Sequence, residues 1–218
     1  MSNTDIANAK TRFKAAAIVA SIFILILWLV KLVELADGYS YFTAGILPRK
    51  LSGLTGIILA PLIHADFNHL INNSISIYIL IIGLIYFYSD LWYKIIIESW
   101  LISGLMVWLG ARSSYHIGCS GIIYAIASFI FFSGVIRRNT SLMAISLLTV
   151  FLYGGLIWGV LPIFYQISWE YHLFGGIVGA VLAYVYRNQG PPLYKWSWDE
   201  TEENDLNNED DIVDDGLT

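Results

Sequence analysis

The chain has 218 residues, 57% hydrophobic and only 13% charged, with a mean hydropathy of +0.64. A water-soluble domain carries about 25% charged residues, so composition excludes an ordinary soluble globule and indicates a polytopic membrane protein. The net charge of −5 is unevenly placed: ten of the 17 acidic residues lie between Asp199 and Thr218, leaving 12 basic against 7 acidic residues (17 − 10) and a net of +5 for the rest.

Residues 1–12 are polar and contain Lys10 and Arg12. The first span is expected over Phe13–Leu35, where an apolar run exceeds the ~20 residues that cross a bilayer as a helix. It is too long for a cleavable leader and lacks a small-residue cleavage site. Residues 36–63 are apolar but broken by Gly38, Pro48, Gly53, Gly56 and Pro61; they read as a loop lying partly in the membrane interface. The second span is expected from Phe67 to Tyr88, followed by a Ser89-Asp90 turn, and the third from Leu91 to Ala111. After a polar connection over 112–117, the fourth opens at Gly118 or Cys119 and stops before Arg137-Arg138. The fifth covers about Leu142–Ile163, the loop Phe164–Tyr171 follows, and the sixth runs His172–Tyr186 before Gly190-Pro191-Pro192. Cys119 is the single cysteine, so no internal disulfide can form.

This predicts an all-α membrane protein with one domain: a cytoplasmic N-terminus (1–12), a six-helix body (13–190) and a disordered acidic C-terminal tail (191–218). Lys and Arg set the orientation. The side holding both termini collects Lys10, Arg12, Lys14, Lys94, Arg137, Arg138, Arg187 and Lys195. The other side has only Lys31, Arg49, Lys50 and Arg112. Both termini are therefore expected in the cytoplasm, and the starts of spans two, four and six face outward.

Those three starts carry the polar residues. His69 and Asn73 are four apart and share a face of the second helix. His64, five before His69 and ~140° away on a helix, belongs to the preceding loop. Histidine and asparagine at membrane depth are energetically expensive and point to a cavity or a partner. A single one can simply glue helices together, but several converging from separate helices argue for a site. Ser120 sits between glycines in Gly118-Cys119-Ser120-Gly121 and shares a face with Tyr124. His172, Gly175 and Gly179 form one stripe that allows close packing on a neighbour, which would bring His172 to Ser120. A serine needs a base to become a nucleophile, and histidine can serve near neutral pH. His69, Asn73 and the Ser120 amide are candidate donors for a developing oxyanion. With no carboxylate on the His172 face, the pair reads as a dyad, its ring supported by Tyr124.

Together these motifs resemble the rhomboid family of intramembrane serine proteases, over about Gly45 to Ala183. The carriers are His64, His69 and Asn73 opening the second helix; Gly118, Ser120, Gly121 and Tyr124 opening the fourth; and His172 with Gly175 and Gly179 in the sixth. Gly45–Arg49 and Ser168-Trp169-Glu170 also look like rhomboid loops. Three such motifs at the right helix starts, in order, are specific where one would be weak. The resemblance implies a six-transmembrane-helix, rhomboid-like bundle with a water-filled cavity open to the outside. It implies Ser120 as nucleophile, His172 as base and then acid, and His69 and Asn73 as oxyanion donors. His64 is then a supporting hydrogen-bond residue and Tyr124 packs on the catalytic ring. Substrates would be transmembrane proteins entering sideways between the second and fifth helices. No cofactor, metal or nucleic acid is implied, and membrane lipid is the surrounding partner, in a plasma or inner membrane. The Trp-Arg pair frequent in the family's first loop is absent, Pro48-Arg49 being nearest, and His116 has no family role. The alternative function is a non-catalytic rhomboid-like binder of membrane proteins. A zinc site from His64, His69, His116 and His172 is disfavoured by the five-residue His64–His69 spacing, with Ala65 where the His-Glu-x-x-His pattern has glutamate. The Gly-x-Ser-x-Gly elbow of soluble hydrolases is broken by Ile122.

Overall fold

A computed structural model describes residues 3–152, 159–162 and 167–191. Among them the chain is helical, without a strand; one isolated antiparallel bridge joins Ile46 to His116. The helices are α1 (Asn3–Asp37), α2 (Gly56–Leu59), α3 (Phe67–Phe87), α4 (Trp92–Gly110), α5 (Ser120–Ile136), α6 (Thr140–Leu152) and α7 (Trp169–Val185). By length and composition α1 (from Ala9), α3 and α4 can cross a membrane, and α5 is a shorter apolar helix. The protein is an integral membrane protein. The acidic stretch from Asp199 lies outside the described residues.

Helix boundaries depart from the hydropathy reading in three places. α1 starts ten residues before the expected Phe13, because Ala, Lys and Arg favour helix whatever their hydropathy. α7 starts at Trp169 rather than His172. The Ser168 carbonyl accepts from the amides of Tyr171 (3.0 Å) and His172 (3.3 Å), and Glu170 suits the positive N-terminal end of the helix. Of the expected fifth span, residues 142–152 and Gly159 are helical, while 153–158 and 163 lie outside the described residues. Residues 160–162 form a turn, as Pro162 disfavours helix in the residue before it.

The core joins the inner faces of α1 (Ala20, Leu27), α3 (Ile77, Leu84), α5 (Ile126, Phe129) and α7 (Leu182). The outer faces of α1 and α4 expose Ile22, Leu25, Ile97 and Leu105, as lipid-facing surfaces do. Because lipid is as apolar as these side chains, close contact and hydrogen bonds, more than burial, define how the helices meet. The α5–α7 pair illustrates this. A Cβ built on Gly175 would run into the Gly121 carbonyl, and one on Gly179 into the Ala125 carbonyl. The backbones therefore touch, and Ser128 Oγ adds a 2.7 Å hydrogen bond to the Gly176 carbonyl.

The segment between α1 and α3 lies along α4. Trp108 Nε1 donates to the Lys50 carbonyl and Trp100 Nε1 to the Ile57 carbonyl, both at 2.9 Å. Arg49 reaches the Ala111 carbonyl at 2.8 Å and Ser113 Oγ at 3.2 Å. At its far end, Lys31 of α1 donates to Glu34 (2.7 Å) and to the carbonyls of His64 (2.9 Å) and Ala65 (3.1 Å). Glu34 in turn accepts from the Tyr41 amide. This ties the entry of α3 to α1.

Candidate active site

Three helix entries meet at one cavity of about 510 Å³, lined among others by His69, Asn73, Ser120, Tyr124, Gly159 and His172. Ser120 is the first residue of α5, with Cys119 as its cap. Its own amide is thus among the N-terminal donors left without an intrahelical partner. The α5–α7 backbone contact sets His172, one turn into α7, directly opposite. His172 Nε2 lies 2.9 Å from Ser120 Oγ, and both residues are buried.

The other imidazole nitrogen determines the proton's place. His172 Nδ1 is 2.8 Å from the Gly159 carbonyl. A carbonyl can only accept, so Nδ1 carries the hydrogen. In the neutral ring Nε2 is then the acceptor, and Ser120 Oγ–H must donate to it. Gly159 precedes the 160–162 turn, and carbonyls at a helix end lack an intrahelical partner, which leaves this one free for His172. The ring is held flat against Tyr124, with centroids 4.3 Å apart and planes at 12°. Sequence reasoning found Tyr124 but missed Gly159, whose contribution comes from the main chain and so from no side-chain signal.

The α3 entry supplies donors. Asp66 caps α3 by accepting from the His69 amide at 2.8 Å, which orients the first turn. Gly118 has φ of +99°, in the region open to glycine. A Cβ there would stand 2.8 Å from the His69 ring and 3.4 Å from Asn73 Nδ2. Both side chains therefore face the backbone just ahead of Ser120. Asn73 Nδ2 is buried with no protein partner, an unsatisfied donor on a residue that lines the cavity. Gly121 leaves room for the fully buried Tyr171 ring, which a Cβ would strike.

His64 does not line the cavity. It sits behind His69, edge-on, with centroids 5.0 Å apart, and its Nε2 is 3.7 Å from Cys119 Sγ. Burial pushes its imidazole down to about 3, so it is neutral at physiological pH. Glu170, expected in a loop, is in the first turn of α7, where it is buried and paired with Arg112 at 3.6 Å rather than with His172. His116 does not line the cavity either, although Tyr115, Ile117 and Ser168 around it do. Among the described residues no group of three or more His, Cys, Asp or Glu could hold a metal ion. Glu98, in α4, accepts from the Tyr186 hydroxyl at 2.8 Å.

A serine whose hydroxyl hydrogen points at a neutral imidazole, beside unpaired donors, is suited to attack on a carbonyl. A family model for the rhomboid domain matches residues 52–189. An uncharacterized protein of Mycobacterium tuberculosis is 35% identical over 176 residues, covering 75% of this chain and 72% of its own length. The same figures hold for an uncharacterized protein of Mycobacterium bovis. One from Mycobacterium leprae is 32% identical over 190 residues, covering 82% and 74%.

Proposed function

The chain belongs to the rhomboid family, and we propose that it is an intramembrane serine endopeptidase cutting membrane proteins in or near their transmembrane segments. Ser120 Oγ attacks the scissile carbonyl while His172 Nε2 takes its proton. The imidazolium then returns that proton to the leaving amine, and water drawn through the same base releases the acyl group. His69, Asn73 Nδ2 and the Ser120 amide hold the developing oxyanion, and His64 and Tyr124 support the two imidazoles. The body spans the membrane six times, with both termini in the cytoplasm and the cavity opening to the outside.

The observation that carries this reading is the Gly159–His172–Ser120 series, which has the base tautomer in place before substrate arrives. The test is a panel of single-span substrates in reconstituted membranes, comparing wild type with Ser120→Ala and His172→Ala, with products read by mass spectrometry. Cleavage by the wild type alone is expected. Cleavage that survives in either variant would remove the dyad. Binding without cleavage by the wild type would favour a non-catalytic binder.

A further inference from the structure

His116 is fully buried, and all four of its polar groups are engaged. Its backbone amide and carbonyl pair with Ile46 at 2.9 Å each. Its Nε2 is 3.2 Å from the Arg112 carbonyl and its Nδ1 3.0 Å from Ser168 Oγ. The Arg112 carbonyl only accepts, so Nε2 carries the hydrogen and Nδ1 accepts from the Ser168 hydroxyl. Ser168 is the cap residue of α7, yet its side chain makes no capping bond to its own helix, the usual use of a serine there. The hydroxyl instead crosses to His116, while its carbonyl holds the His172 amide at 3.3 Å.

The spacing is symmetrical. His116 stands four residues before Ser120, and Ser168 four before His172. Beside this bond Arg112 donates to the Ile167 carbonyl at 2.8 Å and pairs with Glu170. The two segments that deliver the serine and the imidazole are thus fastened to each other one step upstream of where those groups meet.

We propose that His116 is a positioning residue that, through Ser168, sets the separation of Ser120 and His172. The inference rests on those two being the reacting pair. His116 lies outside the cavity, so its effect is separable from contact with substrate; Ser168 borders the cavity.

The test compares His116→Asn, His116→Gln and Ser168→Ala by kcat and KM on a single-span substrate, with melting temperature measured alongside. An asparagine amide occupies the place of Nδ1 and can keep the bond to Ser168. A glutamine amide occupies that of Nε2 and cannot. Ser168→Ala and His116→Gln are expected to lower kcat by about 10- to 100-fold with KM within about two-fold, since small misplacement of reacting groups acts on turnover. His116→Asn is expected to stay within about five-fold of wild type. Equal losses in Asn and Gln that track melting temperature would overturn the proposal, as would wild-type turnover in Ser168→Ala. If the histidine variants do not accumulate, Ser168→Ala decides by its kcat alone, since it removes one half-buried hydroxyl. Ser120→Ala run in parallel separates the cases. Its inactivity beside fully active Ser168→Ala ends this inference only, whereas its activity ends the proteolytic reading beneath it.

Discussion

The Gly159 carbonyl accepts a 2.8 Å hydrogen bond from His172 Nδ1, in the position where a carboxylate orients the base of many serine hydrolases. A carbonyl fixes the tautomer as a carboxylate does but brings no full negative charge, so the imidazolium of the proposed reaction would be less stabilised. Tyr124, stacked on the ring, limits its rotation.

This makes Gly159→Ala informative. The added Cβ would stand 2.9 Å from His172 Nδ1 and would press on the Tyr124 hydroxyl. Tilting the ring is expected to lower kcat by ~10²-fold with KM little changed. Steady-state turnover of a single-span substrate checks it, and unchanged kcat would contradict the close approach of residue 159 to the His172 ring.

Asn73→Ala removes a buried amide donor that has no protein partner. One oxyanion donor is worth about 3 kcal/mol in acyl-transfer sites. The His69 side chain and the Ser120 amide remain, so the expected loss in kcat is ~10- to 100-fold, smaller than for Ser120→Ala. Full activity would remove Asn73 from the site.

The glycines of α7 separate contact from composition. Gly175→Ala drives a methyl into the Gly121 carbonyl, whereas a Cβ on Gly176 meets nothing within 4 Å. Gly175→Ala is expected to destabilise by roughly 1–3 kcal/mol and to pull His172 from Ser120. Gly176→Ala should leave both melting and cleavage unchanged. Equal behaviour of the two in thermal melts and cleavage assays would contradict the close α5–α7 approach.

Lys31→Met leaves the carbonyls of His64 and Ala65 and the carboxylate of Glu34, itself mostly buried, without their ammonium partner. Breaking a buried pair from one side costs about 3–5 kcal/mol, reduced here because Tyr41 and Ser40 still donate to Glu34. The expected result is a lowered melting temperature, partly restored in Lys31→Met/Glu34→Gln. A double variant no better than the single would show that the pair is not coupled.

Much of the candidate site was legible because its residues are side chains at helix starts. Ser120 with Tyr124, and His69 with Asn73, are each four apart, and helical periodicity alone aligns such pairs. The glycines at 175 and 179 were read as a stripe for tight packing, and a Cβ on either would run into the backbone of α5. The start of α7 was misread because a window that follows apolar runs passes over a first turn containing Glu170. α1 extends beyond the expected first span because hydropathy marks the part of a helix inside lipid, not where the helix begins. His116 read as an unassigned loop histidine, since its partners Ile46 and Ser168 are 70 and 52 residues away.

The amino-acid order by itself determined the class, the positions of the apolar helices and the residues able to carry chemistry, because these follow from local composition and from 3.6-residue periodicity. Only the tertiary structure decided which nitrogen of His172 holds the proton, that a main-chain carbonyl at Gly159 directs it, and that His116 and Ser168 fasten two helix entries together. Those outcomes depend on distances between segments far apart in the chain and on backbone groups that every residue shares. Neither leaves a mark in a one-dimensional pattern of side chains.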